Sequence, residues 1–402
     1  MKLLRCYILL LVVCTIAVIL AAMIPHRAIK NNCQTSIAYV VKQGEYPLAF
    51  GLPLLKTDNF TDLLMLNEAW CCDDTHPVNA AMMNYFFFPE GGNMFEASVK
   101  MINQPVGQEE LTEYSRYWHG FQIVLRPLLV LTDYKTLIVI NYILLTLLAL
   151  WCLCNVWQHC KPSVSISLGI VLLLTAFPAV PLCFQYSVCF YIMFLFIIAL
   201  LRNKTTRQQD VCSFFTVGAL TAFFDLLTTP LLTLGIPLLI YVQGTTEDGR
   251  MKRSVQLSAS WAAGYASLWL SKCLVAWLLT RKNVLGVFME EAHMRSALGL
   301  NTVSQLITEH LLTCIGIAIL SAALVVLTLQ WARRSTFLRR DGWLLFVAAL
   351  PLLWYAVLLQ HTVIHFFFVW RMLAITLMAL LLLTFNHNKP LNHEARRTYS
   401  LL

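Results

Sequence analysis

Apolar runs long enough to cross a bilayer follow one another through this chain of 402 residues, and they break off at length only once, over residues 25–120. The fold must therefore immerse most of the chain in lipid and still house about a hundred mixed, aromatic-rich residues outside it. That interval carries six basic and eleven acidic residues. Its apolar stretches, such as Leu63–Leu64–Met65–Leu66 and Tyr85–Phe86–Phe87–Phe88, can bury surface, so its composition excludes low-hydrophobicity disorder.

Composition agrees. With 58% hydrophobic and 12% charged residues, the surface of a soluble domain this long would lack about half the charge it needs. The fold class read from this is an all-α polytopic membrane protein of about ten spans. Drawn by hydropathy, they fall at 4–24, 136–156, 163–181, 184–201, 211–228, 230–243, 255–280, 303–331, 342–360 and 366–385. Lys2 and Arg5, Lys161, Arg202 to Arg207, Arg250 to Arg253, Arg333 to Arg340 and Lys389 to Arg397 mark every second connection. A ten-span count puts all of them on one side, which the positive-inside rule makes cytoplasmic, with both termini. The parts are an uncleaved anchor at 1–24, an extracytoplasmic loop at 25–135, a bundle at 136–385 and a cytoplasmic tail at 386–402. A signal peptide is the rival for residues 1–24, but small residues at a cleavage site are lacking around Pro25–His26–Arg27. The net charge of +8 sits in short connections and expresses topology; no nucleic-acid module is present. Phe121 to Asp133 reads as an amphipathic interfacial helix. Cys33, Cys71 and Cys72 face outside, which leaves open one disulfide from Cys33 to either member of the pair. Asn59–Phe60–Thr61 fits a glycosylation sequon.

Five polar clusters are expensive to place at a membrane boundary, and this topology puts all of them on the outer side. In the first, Asp58 and Asp62 stand four apart before an apolar helical run that continues to Glu68; helix capping by Asp58 or Asn59 competes with a catalytic role. The second, Glu113–Tyr114–Ser115–Arg116–Tyr117–Trp118–His119, joins an acid, a base and aromatic rings suited to stacking a sugar and pairing a phosphate. An aromatic belt with a snorkelling Arg116 is the bland alternative. Arg126 belongs to the interfacial helix that follows. Asp225 closes a span beside Thr228–Thr229–Pro230, Glu290–Glu291 lies between two spans, and His361 and His365 precede Arg371. Lys272 and Glu309–His310 are further polar residues at membrane depth. Arg371 would lie about 9 Å below His365 in a helix, and needs a carboxylate or phosphate partner there.

In wording, Asp58 to Asn67, Tyr114 to Gly120, Leu125–Arg126–Pro127–Leu128–Leu129 and His361 to His365 with Arg371 resemble a group of bacterial integral-membrane proteins of the GT-C superfamily, the polyprenyl-phosphate-sugar-dependent glycosyltransferases. The layout of one span, a large outer loop with interfacial helices and then many spans is similar too. The resemblance implies residence in the bacterial plasma membrane and transfer, on the outer side and with inversion, of a sugar from a polyprenyl phosphate to a glycan, lipid or protein. One departure stands out: residues 25–30, just after the first span, contain no acid. The implied general base then comes from later in the loop: Asp62 first, then Asp58, Glu68 and Glu113. Arg371, Lys272 and Arg116 are the implied phosphate binders, with Tyr117, Trp118, His119, Arg126, Asp225, Glu290, His361 and His365 as further substrate contacts. Spacing requires no metal or other cofactor, and a divalent cation on the outer carboxylates stays open. Two rivals remain. A transporter or flippase of a lipid-linked glycan suits charges at membrane depth. Glu290–Glu291 with Arg295 resembles the first motif of CAAX-type intramembrane proteases, but no Phe-x-x-x-His follows.

Overall fold

The computed structural model describes residues 2–52, 55–89, 91–203, 206–245, 249–296 and 340–387. The expected span at 303–331, Glu309–His310, the Arg333 to Arg340 cluster up to residue 339 and the tail from 388 lie outside the described residues. Among the described residues, five helices are long and apolar enough to cross a membrane: α1 (Lys2–Ala22), α7 (Tyr134–His159), α9 (Phe184–Arg202), α12 (Arg250–Thr280) and the segment Phe366–Phe385. The protein is an all-α membrane protein with a small accessory sheet. Leu9, Val13 and Leu20 of α1 and Ile143, Leu147 and Leu150 of α7 are more than half exposed, as lipid-facing side chains are.

Several apolar segments are shorter than hydropathy suggests. Over 163–181 the chain forms α8 (Pro162–Leu174), then Ala176 takes a left-handed turn and Phe177–Leu182 is a 3₁₀ segment. Pro178 and Pro181 each remove a backbone donor there, so the α-helix cannot continue. Residues 230–243 form α11 (Leu232–Val242), buried at every position except Tyr241, which makes it a core helix. α10 (Arg207–Phe224) ends at Asp225, and α14 (Gly342–Val357) breaks at Leu358 into α15 (Leu359–Ile364) and α16 (Phe366–Val369), before α17 (Leu373–His387). α7, α8, α9, α11, α14 and α17 enclose the largest core. The tightest helix pair is α10 with α12. A Cβ at Gly218 would stand 2.0 Å from the Trp261 carbonyl and one at Gly264 2.0 Å from the Phe215 carbonyl, so only glycines allow this backbone approach.

The interval between the first two long helices is a packed layer. α2 (His26–Gln43) buries Ile29, Cys33, Ser36, Ile37 and Val40, one face at helical spacing. α3 (Asn59–Cys71), α4 (Pro77–Met83) and α5 (Met94–Asn103) follow. Two three-residue strands, β1 (Tyr85–Phe87) and β2 (Leu111–Glu113), pair antiparallel with Phe86 opposite Thr112. Asn67 fixes the ribbon to α3: Phe87 N–H donates to its Oδ1 at 2.8 Å and its Nδ2 donates to the Phe87 carbonyl at 3.0 Å. The disulfide considered above does not form. Cys33, Cys71 and Cys72 are free thiols, Cys33 buried under the Leu66 carbonyl and Cys71 beside the Met101 sulfur at 3.3 Å. Burial pushes the Cys33 thiol up to about 12 and the Cys71 and Cys72 thiols upward. α6 (Gln122–Leu131) is the expected amphipathic helix, with Arg126 and Leu129 buried and Leu131 77% exposed; α13 (Leu285–Ser296) follows α12.

Candidate functional site

The first polar constellation lies where α3, α4, α6 and α12 meet. Glu68 and His119 are buried with Glu68 Oε2 2.8 Å from His119 Nδ1, and His119 Nε2 is 2.8 Å from the Tyr114 carbonyl. A carbonyl only accepts, so Nε2 carries a hydrogen, and Nδ1 faces the carboxylate. Lys272 Nζ donates to the Ala81 carbonyl at 3.1 Å and lies 5.4 Å from the Trp118 ring centre, while Trp118 Nε1 donates to the Leu268 carbonyl. Arg126 donates through Nε to the Ala21 carbonyl at 2.9 Å, through Nη2 to the Ile24 carbonyl at 2.5 Å and through Nη1 to the Ala69 carbonyl. It ties the C-terminal ends of α1 and α3 together, where a cation is favoured by both helix dipoles. A cavity of about 20 Å³, room for one water, opens beside Glu68, His119, Gln122 and Arg126.

The second constellation gathers at the first turn of α9. Asp58 caps α3, accepting from Thr61 N–H at 3.0 Å and the Thr61 hydroxyl at 2.7 Å, so the capping role weighed from sequence is realised. Burial nevertheless pushes its carboxyl up to about 7, against the pull of those hydrogen bonds. The Tyr186 hydroxyl donates to the Lys56 carbonyl at 3.3 Å, two residues before Asp58. On the other side the Arg371 guanidinium carbon lies 4.7 Å from the Tyr186 ring centre and 5.4 Å from that of Trp370. Arg371 is 1% exposed, donates through Nη1 to the Phe367 carbonyl at 3.3 Å, and has no partner on Nε or Nη2. His361 and His365 stand with ring centres 4.6 Å apart, His365 stacked on Phe368 at 5.2 Å. His361 Nε2, 2.9 Å from the Leu227 carbonyl, joins this group to the Asp225 turn.

Asp62, the first choice for a base, has a different post. It accepts from Phe184 N–H and Gln185 N–H at 3.1 Å each and from the Tyr134 hydroxyl. It is the acidic cap of α9, buried, its carboxyl pushed up by burial against three donors. Asp225 likewise turns back on its own chain, accepting from Thr228 N–H at 3.0 and 3.1 Å and from its hydroxyl. Glu113 pairs with Lys282 at a half-exposed surface. Arg116 lies over Tyr114 at 4.2 Å and Tyr117 at 5.7 Å, and Glu290 is exposed on α13. The candidates therefore separate into two groups, with the Asp225 turn between them. Among the described residues no three His, Cys, Asp or Glu side chains converge as metal ligands would.

No family model, curated protein or solved structure matches this chain. Its chemistry has to be read from its own cavities. An apolar groove of about 400 Å³ lies between α6, α7 and α9, from Phe121, Phe184 and Phe224 to Leu144 and Leu195. Phe184 to Leu195 is eleven residues, roughly 16 Å along the helix. In the first turn of α9, Phe184 and Ser187 line this groove while Tyr186 contacts Arg371. A second, polar cleft of about 510 Å³ lies in the layer, lined among others by His26, Lys30, Trp70, Asp74, Gln104 and Gln108. His26 N–H donates to Asp74 Oδ2 at 2.8 Å, and burial followed by the Arg126 and Lys30 charges pushes its imidazole down. Sequence reasoning missed Tyr186, which looked like one aromatic of a span, and Tyr134, which follows Asp133 with no motif of its own.

Proposed function

We propose that the protein is a membrane glycosyltransferase of GT-C-like layout that moves a sugar from a polyprenyl-phosphate donor to a hydroxyl acceptor on the extracytoplasmic side. The observation that carries this reading is Arg371, a buried guanidinium with two nitrogens unpartnered. Such a group is costly until an anion meets it, and a phosphate offers two oxygens to a guanidinium edge. The apolar groove, one helical turn away, takes the donor's hydrocarbon chain.

In this scheme Asp58, two residues from the Lys56 carbonyl that the Tyr186 hydroxyl reaches, is the general base. Its carboxyl at about 7 can take a proton from the acceptor hydroxyl near neutral pH. The acceptor oxygen bonds to the anomeric carbon from the face opposite the phosphate. The carbon–oxygen bond to phosphate then breaks, its electron pair leaves with the polyprenyl phosphate, and Arg371 stabilises that charge. Asp62 holds α9, and hence Tyr186, in place. The reading requires no cofactor. The groove would also serve a carrier of lipid-linked glycans, and one assay separates the two: purified protein with radiolabelled polyprenyl-phosphate hexose and an outer-face glycan acceptor. Labelled glycan supports transfer; donor that changes leaflet without forming product supports transport and ends the transferase reading.

A further inference from the structure

Residues 44–52 and 55–59, between α2 and α3, pair as the two arms of a hairpin. Glu45 carbonyl accepts from Asn59 N–H at 3.0 Å, Pro47 carbonyl from Thr57 N–H at 3.0 Å, and Leu55 carbonyl from Ala49 N–H at 2.7 Å, with Leu48 bridged to Lys56. The Asn59 side chain also donates to the Gly44 carbonyl at 2.8 Å. Its described backbone is therefore built, but three of its apolar side chains are not packed. Leu48 is 45% exposed, Phe50 59% and Leu52 52%, and Phe50 holds a left-handed φ of 56° that L residues with large side chains rarely adopt. A bulky aromatic ring held outward by an unfavourable backbone, between two exposed leucines, implies a medium that rewards it.

The hairpin's position identifies that medium. The Tyr46 ring packs edge-on against Phe367 at 5.1 Å, at the start of the apolar segment Phe366–Phe385. On the other side Lys56 carbonyl accepts from Tyr186, and Asp58 carbonyl lies 3.8 Å from Cys183 Sγ, at the start of α9. The loop thus stands over the ends of two membrane-length helices. Ile364, 51% exposed, and Val357, 66% exposed, continue the apolar surface on the neighbouring helices. We infer that the hairpin tip at Leu48, Phe50 and Leu52 inserts into the bilayer as a lipid-facing wedge, with Lys56 left to reach headgroups. This does not depend on the transferase reading.

The test uses the full chain in phosphatidylcholine–phosphatidylglycerol vesicles. A bimane label goes on Leu48→Cys, Phe50→Cys or Leu52→Cys in a background with Cys6, Cys71, Cys72, Cys154, Cys160, Cys212 and Cys314 replaced by Ala, the label taken up by that background is subtracted, and quenching by brominated lipid is measured. Leu147→Cys on the lipid face of α7 and Glu109→Cys in the layer are the lipid and water references. Quenching nearer that of Leu147→Cys at two or three of the hairpin positions is expected. Quenching nearer that of Glu109→Cys at two or three of them overturns the inference, whether water or another protein surface covers the loop.

Discussion

Arg126 and Arg371 are both 1% exposed, yet the surroundings of the two guanidiniums differ. Arg126 gives Nε, Nη1 and Nη2 to three main-chain carbonyls, whereas Arg371 gives one nitrogen to one carbonyl, and its other contacts are with the Tyr186 and Trp370 side chains. A buried cation with every nitrogen used is architecture. One with donors to spare raises the free energy of the empty protein and lowers it again when an anion arrives. The same contrast runs through the carboxylates: Glu68 lies 2.8 Å from His119, and Asp62 is spent on the start of α9, while Asp58 keeps a carboxyl at about 7 close to Tyr186.

The largest effect on stability belongs to Arg126→Leu. Three helix-end carbonyls lose their donor, so unfolding in detergent is expected to fall by about 3 kcal/mol or more. Equal stability would mean the clamp is replaceable and would dissolve the contrast. His119→Ala comes next, at about 2 kcal/mol, because it strands the Glu68 carboxylate and releases a backbone that His119 holds at φ 52°. Activity per folded molecule should survive it, and a loss of turnover in the folded fraction would move the site to the Glu68 cluster.

Asp58→Asn sharpens the comparison differently, since Asn caps a helix about as well as Asp and less than about 1 kcal/mol should be lost. Transfer should drop by about 100-fold or more, the usual range for a general base. The pH signs are opposite for the two readouts. With the folded carboxyl at about 7 and the unfolded one near 3.8, the contribution of Asp58 to stability is full below pH 3.8 and declines as pH rises through 7; turnover rises over the upper part of that window as the base ionises. Asp58→Asn should flatten both slopes, as followed by thermal unfolding and initial rates from pH 5 to 8. The smallest effect is expected of Glu113→Gln. Its pair with Lys282 is 38% and 45% exposed, and both stability and rate should change by less than about 1 kcal/mol.

How much of this was legible in the sequence depends on whether the cause was local. Long apolar helices, the amphipathic α6 and the cap at Asp58 follow from hydropathy, helical spacing and side-chain chemistry within a few residues. α8 and α11 came out shorter than read, because a hydropathy average runs across Pro178, Pro181 and Pro230 and ignores the donors they lack. The β1–β2 ribbon was hidden, since three residues per strand carry no alternation to detect. The capping role of Asp62 could not be read beside it, because its partners, Phe184 and Gln185, are more than a hundred residues away. Tyr186 and Arg371 meet across 185 positions, and nothing in either segment announces the other.

The account stands most directly on Arg371→Leu, assayed for transfer from radiolabelled polyprenyl-phosphate hexose and for thermal unfolding on the same preparation. Removing an unsatisfied buried charge should leave the unfolding temperature at or above that of the unaltered protein while transfer falls by about 100-fold or more. Transfer that persists in Arg371→Leu, or a fall in unfolding temperature as large as that of Arg126→Leu, would show that the guanidinium serves the fold and not an incoming phosphate.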